Sequence, residues 1–251
     1  MSSIDLNADL GEGMPNDQEI MRVISSCNIA CGFHAGDKVM MNKTVDLALE
    51  CQVNIGAHPS FPDRFHFGRI NKHFAPKEVF EIVVEQIEAL NLVARRAGAS
   101  LSHVKPHGAL YNMASVSPEL AYAIGEAVYS VDSRLMLFGM SQSCLTTAGS
   151  QLGLRVVHEA FADRAYLKAG ELMPRSSPGA VFFHEDQALT QTLSILIDQV
   201  VYDVGGNRIP IKADTVCLHG DWYGAVTFAR KIKGTLIQRG ISILPPKAAF
   251  A

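Results

Sequence analysis

No stretch of the sequence holds the roughly 18 consecutive apolar residues that a membrane-crossing helix needs, so no membrane role is expected. The opening Met1-Ser2-Ser3-Ile4-Asp5 lacks a basic segment followed by an apolar one, and no secretory leader is expected either. Five cysteines in 251 residues make no disulfide framework in a chain this long. Cys27, Cys31, Cys51, Cys144 and Cys217 read instead as buried small apolar residues. Basic residues are not in excess: 22 Lys and Arg stand against 25 Asp and Glu, a formal net charge of -3. That balance argues against a general nucleic-acid binder. Also missing are a Gly-x-Gly-x-x-Gly turn, a phosphate loop ending in Gly-Lys-Ser/Thr, a His-Glu-x-x-His helix and paired Cys-x-x-Cys motifs. No repeat, low-complexity tract or linker divides the chain. Apolar side chains, at 48% of residues, suffice for one large core. The expectation is a soluble, cytoplasmic protein in which residues 1–251 form a single domain.

Short apolar runs alternate with amphipathic segments. Residues 4–10 alternate with period two, placing Asp5, Asn7 and Asp9 on one side and Ile4, Leu6, Ala8 and Leu10 on the other. Further strands are expected at 28–32, 53–57, 101–105, 134–138, 155–158, 180–183, 215–218 and 241–244, with a small hairpin at 204–211. Helices are expected at 38–52, 77–96, 118–129, 141–150 with Ser141 as cap, 186–200 and 223–238. In the longest, Val79, Val83, Ile87, Leu90 and Ala94 form one apolar stripe. Strands alternating with helices imply a mostly parallel sheet. Seven or eight such units favour a closed (β/α) barrel over an open sheet.

Polar residues gather where the expected strands end: Asp9 and Glu12, His34 and Asp37, His58 and Asp63, Lys105 and His107, Glu159 and Asp163, His219 and Asp221. In a parallel barrel those ends converge on the face where chemistry is done. Polar surface loops are the plainer explanation of any one pair. Lys105 can hold an anion as a point charge, or simply close the barrel mouth in a salt bridge. His107 beside it can move a proton near neutral pH. Asp9, at the end of its strand, is the best catalytic carboxylate, whereas Asp5 lies deeper and reads as structural. His34 and His58 with Asp9 suit a divalent metal acting on water, or direct acid–base work. Arg164 can clamp a substrate carboxylate or pair with Asp163 or Glu159. Tyr111, Phe61 and Trp222 lie next to these turns and either pack against a small ring or cap the core.

Six segments carry a resemblance: Asp5-Leu6-Asn7-Ala8-Asp9-Leu10-Gly11-Glu12, Asn28-Ile29-Ala30-Cys31-Gly32-Phe33-His34-Ala35-Gly36-Asp37, Gly56-Ala57-His58-Pro59, Val104-Lys105-Pro106-His107-Gly108-Ala109-Leu110-Tyr111-Asn112, Glu159-Ala160-Phe161-Ala162-Asp163-Arg164-Ala165-Tyr166 and Cys217-Leu218-His219-Gly220-Asp221. In this order they resemble the LamB/YcsF family, over about residues 4 to 244. The resemblance implies a distorted (β/α) barrel like those of glycoside hydrolases and polysaccharide deacetylases. It implies the A subunit of a bacterial 5-oxoprolinase, opening the lactam of 5-oxo-L-proline to L-glutamate with ATP and Mg2+. Two partner subunits, B and C, are implied, and the nucleotide site lies wholly or partly on them. The residues carried over are Asp9, Glu12, His34, His58, Lys105, His107, Asp163, Arg164, His219 and Asp221. Asp9, Lys105, His107 and Asp163 are taken as catalytic, and Glu12, Tyr111, Arg164, His219 and Asp221 as substrate-binding. The alternatives are metal-assisted hydrolysis of a small amide without ATP, and a non-catalytic substrate-binding role. Two positions depart from the family pattern: Ile70 replaces the usual arginine after Gly68-Arg69, and His66 replaces the usual glycine before Phe67.

Overall fold

The computed structural model describes residues 3–220 and 224–247. The chain begins with β1 (Ser3–Leu10), α1 (Asp17–Met21), β2 (Ser26–Ala30), α2 (Lys38–Cys51) and β3 (Asn54–His58). Next come α3 (Pro76–Arg96), β4 (His103–Val104), α4 (Gly108–Val116), α5 (Pro118–Val131) and β5 (Met136–Met140). α6 (Cys144–Gln151) and β6 (Val156–Phe161) precede an excursion holding α7 (Glu185–Leu193), a π-helical turn (Ser194–Asp198) and an antiparallel pair, β7 (Val200–Tyr202) and β8 (Arg208–Pro210). The chain then returns through β9 (Thr215–Cys217), α8 (Ala225–Gln238) and β10 (Ser242–Ile243).

Strands β1 to β6 pair in parallel in sequence order, β6 pairs with β9, and β9 pairs with β1, where Asn7 lies opposite Cys217. The result is the expected (β/α) barrel, closed by seven strands. β10 only extends the edge at Ser3 and Ile4. Local sequence explains the framing helices. Pro76 starts α3 where a missing N–H costs nothing, Glu78 reaches back to the Ala75 N–H at 2.7 Å, and the Val79, Val83, Ile87, Leu90 and Ala94 stripe is buried. Pro118 starts α5 after the Ser117 cap. No helix among the described residues is long and apolar enough to cross a membrane.

Alternation in β1 sends Leu6, Ala8 and Leu10 into the apolar layer. Asp5, Asn7 and Asp9 face the barrel interior, which is polar. The Asn7 amide donates across the barrel to Glu159 Oε1 at 2.9 Å. Asp5 accepts from the hydroxyls of Ser25 (2.6 Å), Ser26 (2.8 Å) and Thr215 (2.6 Å), the structural role expected of it. Burial pushes its carboxyl up to about 6 against those hydrogen bonds. The His103 ring stacks on Phe138 at 4.1 Å, in space that exists because Gly56 has no side chain: a Cβ there would lie 2.1 Å from His103 Nε2 and 2.3 Å from its Cδ2. Its Nε2 donates to Asn28 Oδ1 at 2.8 Å, and burial lowers its pKa to about 3. These satisfied groups make a stiff floor beneath the barrel mouth.

The structure corrects several expectations. No strand forms at 180–183: β6 pairs directly with β9, and only Val181 makes an isolated bridge, to Arg164, while Phe183 is 60% exposed. The expected helix 186–200 is α-helical over Glu185–Leu193 and continues as the π-helical turn Ser194–Asp198, and the hairpin lies around a turn in which Asp203 Oδ1 accepts from the N–H groups of Gly205 and Asn207. Ser143, not Ser141, caps α6. The short helices α1 and α4 were not anticipated. Cys51 and Cys144 are only partly buried, while Cys27, Cys31 and Cys217 are buried as expected, Cys217 also accepting from Lys105 Nζ at 3.2 Å.

Candidate active site

A cavity of about 780 Å³ opens over the C-terminal ends of the barrel strands. Asp9, Glu12, His58, Lys105, His107, Tyr111, Arg164 and His219 all line it. His34 and Asp163 stand directly behind its wall. Asp221, and Trp222 beside it, lie outside the described residues.

Lys105 is the hub on one side. Its Nζ is 2.8 Å from Glu159 Oε1, 2.9 Å from Asp9 Oδ1 and 3.2 Å from Asn7 Oδ1. Burial alone would lower its pKa, but Asp9, Cys217 and Glu159 outweigh that and hold it well above the usual range. Its protons are therefore committed within the protein, and the idea that it grips a substrate anion gives way to a buried cation that orders two carboxylates. Glu159 is fully buried and also accepts from the Tyr111 hydroxyl at 2.7 Å. Tyr111 thus spends its polar tip inside the protein and shows the cavity its ring. Asp9 also accepts from the Asn28 amide at 2.9 Å. Burial raises its carboxyl, yet His58 and Lys105 win and hold it well below the ordinary carboxylate range. A carboxylate so stabilised is a poor proton acceptor and a good hydrogen-bond acceptor.

The other side is built from imidazoles. The loop after β2 delivers His34, and Arg64 ties that loop by donating to the carbonyls of Gly32 and Gly36, both at 2.7 Å. β3 ends at His58, and β4 leads through Lys105 and Pro106 to His107. The His34 and His107 rings stack at 3.8 Å with 6° between planes, and His58 stands edge-on to both. Gly68 permits this: its φ is +65°, and a Cβ there would lie 2.9 Å from His34 Cβ and 3.0 Å from His107 Cδ2. Glu12 Oε1 reaches His34 Nε2 at 3.1 Å and His107 Nδ1 at 3.4 Å. Burial lowers the pKa of both His34 and His107. Glu12, expected to bind substrate, sits within the histidine cluster.

His219 Nδ1 lies 2.8 and 3.0 Å from the two oxygens of Asp163, which is fully buried. A carboxylate behind Nδ1 fixes the ring and leaves Nε2 for the cavity side, the arrangement of an oriented proton-transfer histidine. Asp163 is thus turned to His219, with both carboxylate oxygens within 3.0 Å of its Nδ1. Arg164 donates to the carbonyls of Met173 (2.7 Å) and Ala180 (3.3 Å), so most of its fork holds the excursion in place while its edge reaches the cavity. Phe61 is wholly buried and belongs to the core. His66 turns to Asp63 at 2.9 Å, whereas Ile70 faces the cavity.

Sequence reasoning passed over Asn28, Ser60 and Gln86, named Asn7 only as part of the polar face of β1, and named Glu159 at a strand end without giving it a role. The signal for Asn7 and Glu159 was present: both lie in strands whose cavity-facing neighbours were already named. Gln86 carried a weaker one, a polar residue next to the apolar stripe of α3; it is fully buried and clamps Ser60 through both backbone groups, at 2.9 and 3.0 Å.

The LamB/YcsF family profile matches residues 4–251. The chain belongs to the LamB/YcsF family. It is 49% identical to the 5-oxoprolinase A subunit of Geobacillus kaustophilus over 251 residues, 98% of each chain. It is 48% identical to the 5-oxoprolinase A subunit of Bacillus subtilis over 248 residues, 97% of this chain and 96% of that protein. Among solved structures, a lactam utilization protein from Thermus thermophilus superposes with a TM-score of 0.89 at 39% identity, covering 96% of this chain and 99% of that one. The barrel is thus that of a LamB/YcsF protein along the whole length compared.

Proposed function

We propose that this protein is the A subunit of an ATP-dependent 5-oxoprolinase, opening the lactam ring of 5-oxo-L-proline to L-glutamate together with partner subunits B and C. The observation that carries this is the end-to-end likeness, at 48–49% identity, to proteins named as 5-oxoprolinase A subunits. The whole chain acts as one catalytic domain, supported by an apolar core that runs from β1 to α8. A lactam amide is resonance-stabilised, and phosphorylation of its oxygen activates the carbon. Water then adds to that carbon, the C–N bond breaks as the ring nitrogen takes a proton, and a second water hydrolyses the resulting γ-glutamyl phosphate to the γ-carboxylate and inorganic phosphate. ATP with its Mg2+ is held wholly or partly by the partners, because this chain carries no phosphate-cradling loop. A divalent metal on His34 and His58 is the second cofactor.

In this scheme His219, set by Asp163, moves the proton at its Nε2, and Asp9 accepts a hydrogen bond from the attacking water. Arg164 faces the substrate carboxylate. His107 belongs with the other imidazoles rather than with the proton transfer, since its Nε2 is already given to the Phe67 carbonyl at 2.9 Å. The test combines the purified chain with subunits B and C, 5-oxo-L-proline, ATP and Mg2+. Glutamate and ADP in equal amounts are expected from the complex, with little from the chain alone. Glutamate formed without ATP would overturn the reading in favour of direct amide hydrolysis. ATP-dependent turnover by B and C without this chain would deny it a catalytic part.

A further inference from the structure

The histidine cluster turns more lone pairs inward than neutral imidazole rings can satisfy, a deficit that a bound cation resolves. His58 Nδ1 is 2.7 Å from the Lys105 carbonyl, which can only accept, so Nδ1 carries a proton. His107 Nε2 is 2.9 Å from the Phe67 carbonyl and carries a proton for the same reason. His34 Nδ1 is 2.9 Å from Ser60 Oγ, whose own proton goes to the Phe61 carbonyl at 3.0 Å, so that nitrogen donates too. As neutral rings, all three then present bare lone pairs on the remaining nitrogen. His58 Nε2 and His107 Nδ1 nevertheless face each other at 2.9 Å, and Glu12 Oε1 joins them, 3.4 Å from His107 Nδ1 and 3.9 Å from His58 Nε2. Three lone pairs and a carboxylate oxygen turned inward repel one another unless a metal cation or an added proton sits among them.

We infer that Glu12, His34, His58 and His107 form a four-coordinate site for a divalent first-row transition metal such as Zn2+, separate from the Mg2+ that travels with ATP. All four donor atoms lie within 4.8 Å of one another. A tetrahedral ion with bonds of about 2.0–2.1 Å needs donors roughly 3.3 Å apart. The separations of 2.9, 3.1, 3.4 and 3.9 Å bracket that value. Each imidazole is oriented by a fixed acceptor behind it, the arrangement that metal-binding histidines require. The Ser60 acceptor is itself held by Gln86. Three nitrogen donors select against Mg2+, which prefers oxygen. Glu12, His58 and His107 line the cavity, so an entry path exists.

Charge points the same way. Around this site Asp9, Glu12 and Glu159 face one ammonium, that of Lys105, leaving an excess of two negative charges that a divalent cation cancels. Asp9 leaves the donor set expected from the sequence. Its Oδ1 is taken by Lys105 and Asn28, and its Oδ2 lies 3.3 Å from His58 Nε2, beside the metal position rather than on it. Cys217 does not join either: it lies outside this group of four donors, and its Sγ accepts from Lys105 Nζ at 3.2 Å.

This deepens the metal reading of the same site, and its test measures metal rather than turnover, so it can fail while the oxoprolinase reading stands. The chain is stripped with chelator at low pH, returned to pH 7.5 and titrated with ZnCl2 by calorimetry and with CoCl2 by visible absorption. One ion per chain is expected, with the intense visible bands of four-coordinate Co2+, and Asp9→Asn is expected to keep both. His107→Gln and Glu12→Gln should each weaken binding at least tenfold, with folding checked by circular dichroism. Glu12→Gln changes almost no volume and serves if His107→Gln does not fold. Weak octahedral Co2+ bands, absence of stoichiometric Zn2+ binding, or unchanged affinity in Glu12→Gln would overturn the site as assigned. In that event a proton shared between His58 and His107 fills the gap instead.

Discussion

Replacing Lys105 by Met tests the buried charge web most directly. The side chains are similar in length, so the main change is loss of the ammonium 2.8 Å from Glu159 Oε1 and 2.9 Å from Asp9 Oδ1. Glu159 is fully out of contact with water and cannot recover its solvation. Removing one partner from a buried, hydrogen-bonded ion pair costs about 3–5 kcal/mol. For a chain of this length that corresponds to a fall in Tm of roughly 6–20 °C. The deficit should depend on pH. In the native protein Asp9 is held well below its ordinary pKa, so its contribution is present above that ordinary value and is lost as pH falls. In the variant the orphaned carboxylates hold protons more tightly folded than unfolded, so its stability rises toward acid. Only the second effect falls between pH 7.5 and pH 5, and it shrinks the gap there; the first adds to that shrinkage below about pH 4. Urea unfolding of both proteins across that range measures it, and Lys105→Met with Glu159→Gln should recover part of the loss. A deficit below about 1 kcal/mol at pH 7.5, or one that stays constant down to pH 5, would refute the reasoning. A fall in turnover in this variant thus speaks first to folding, contrary to the simple view that the side chain can be removed with the fold untouched.

Asp163→Asn should leave the fold and substrate KM near native while lowering kcat by about 10²–10⁴-fold, because an amide no longer fixes which His219 nitrogen bears the proton. Glutamate release by the assembled complex reads this, and more than a tenth of native turnover would exclude the pairing as a catalytic device. Asp5, raised from 3.8 to about 6, binds its proton more tightly in the folded state, so it stabilises most below the unfolded value and this is lost as pH rises through about 6. The shift amounts to about 3 kcal/mol. Urea unfolding of Asp5→Asn beside the native protein from pH 4 to 7 should show a difference that changes by that order, and parallel profiles would contradict it. Comparing the pair cancels the opposite slope contributed by His103.

Local pattern in the sequence settled a good deal. Two-residue alternation in β1 already separates Leu6, Ala8 and Leu10 from Asp5, Asn7 and Asp9, because a strand turns successive side chains to opposite faces. The stripe on α3 likewise announces its buried face. Parallel strands joined by helices put their ends on one face, so the place of Asp9, His58, Lys105 and His219 followed from chain order and turn residues. The segment at 180–183 marks the limit: its apolar run satisfies a strand pattern, yet the barrel closes without it, since β6 and β9 already satisfy each other's backbone.

What the tertiary structure alone decided is which atoms meet. Glu159 and Lys105, 54 positions apart, become a contact through the strand registers. The tautomers of His34, His58 and His107 depend on Ser60 and on the carbonyls of Lys105 and Phe67, partners with no spacing signature. The same is true of Asp163, which sequence reading placed in the chemistry and packing places behind His219. Periodicity records how one segment meets a core, whereas a site is defined by distances of about 3 Å between segments. Those distances exist only once seven strands have closed on one another.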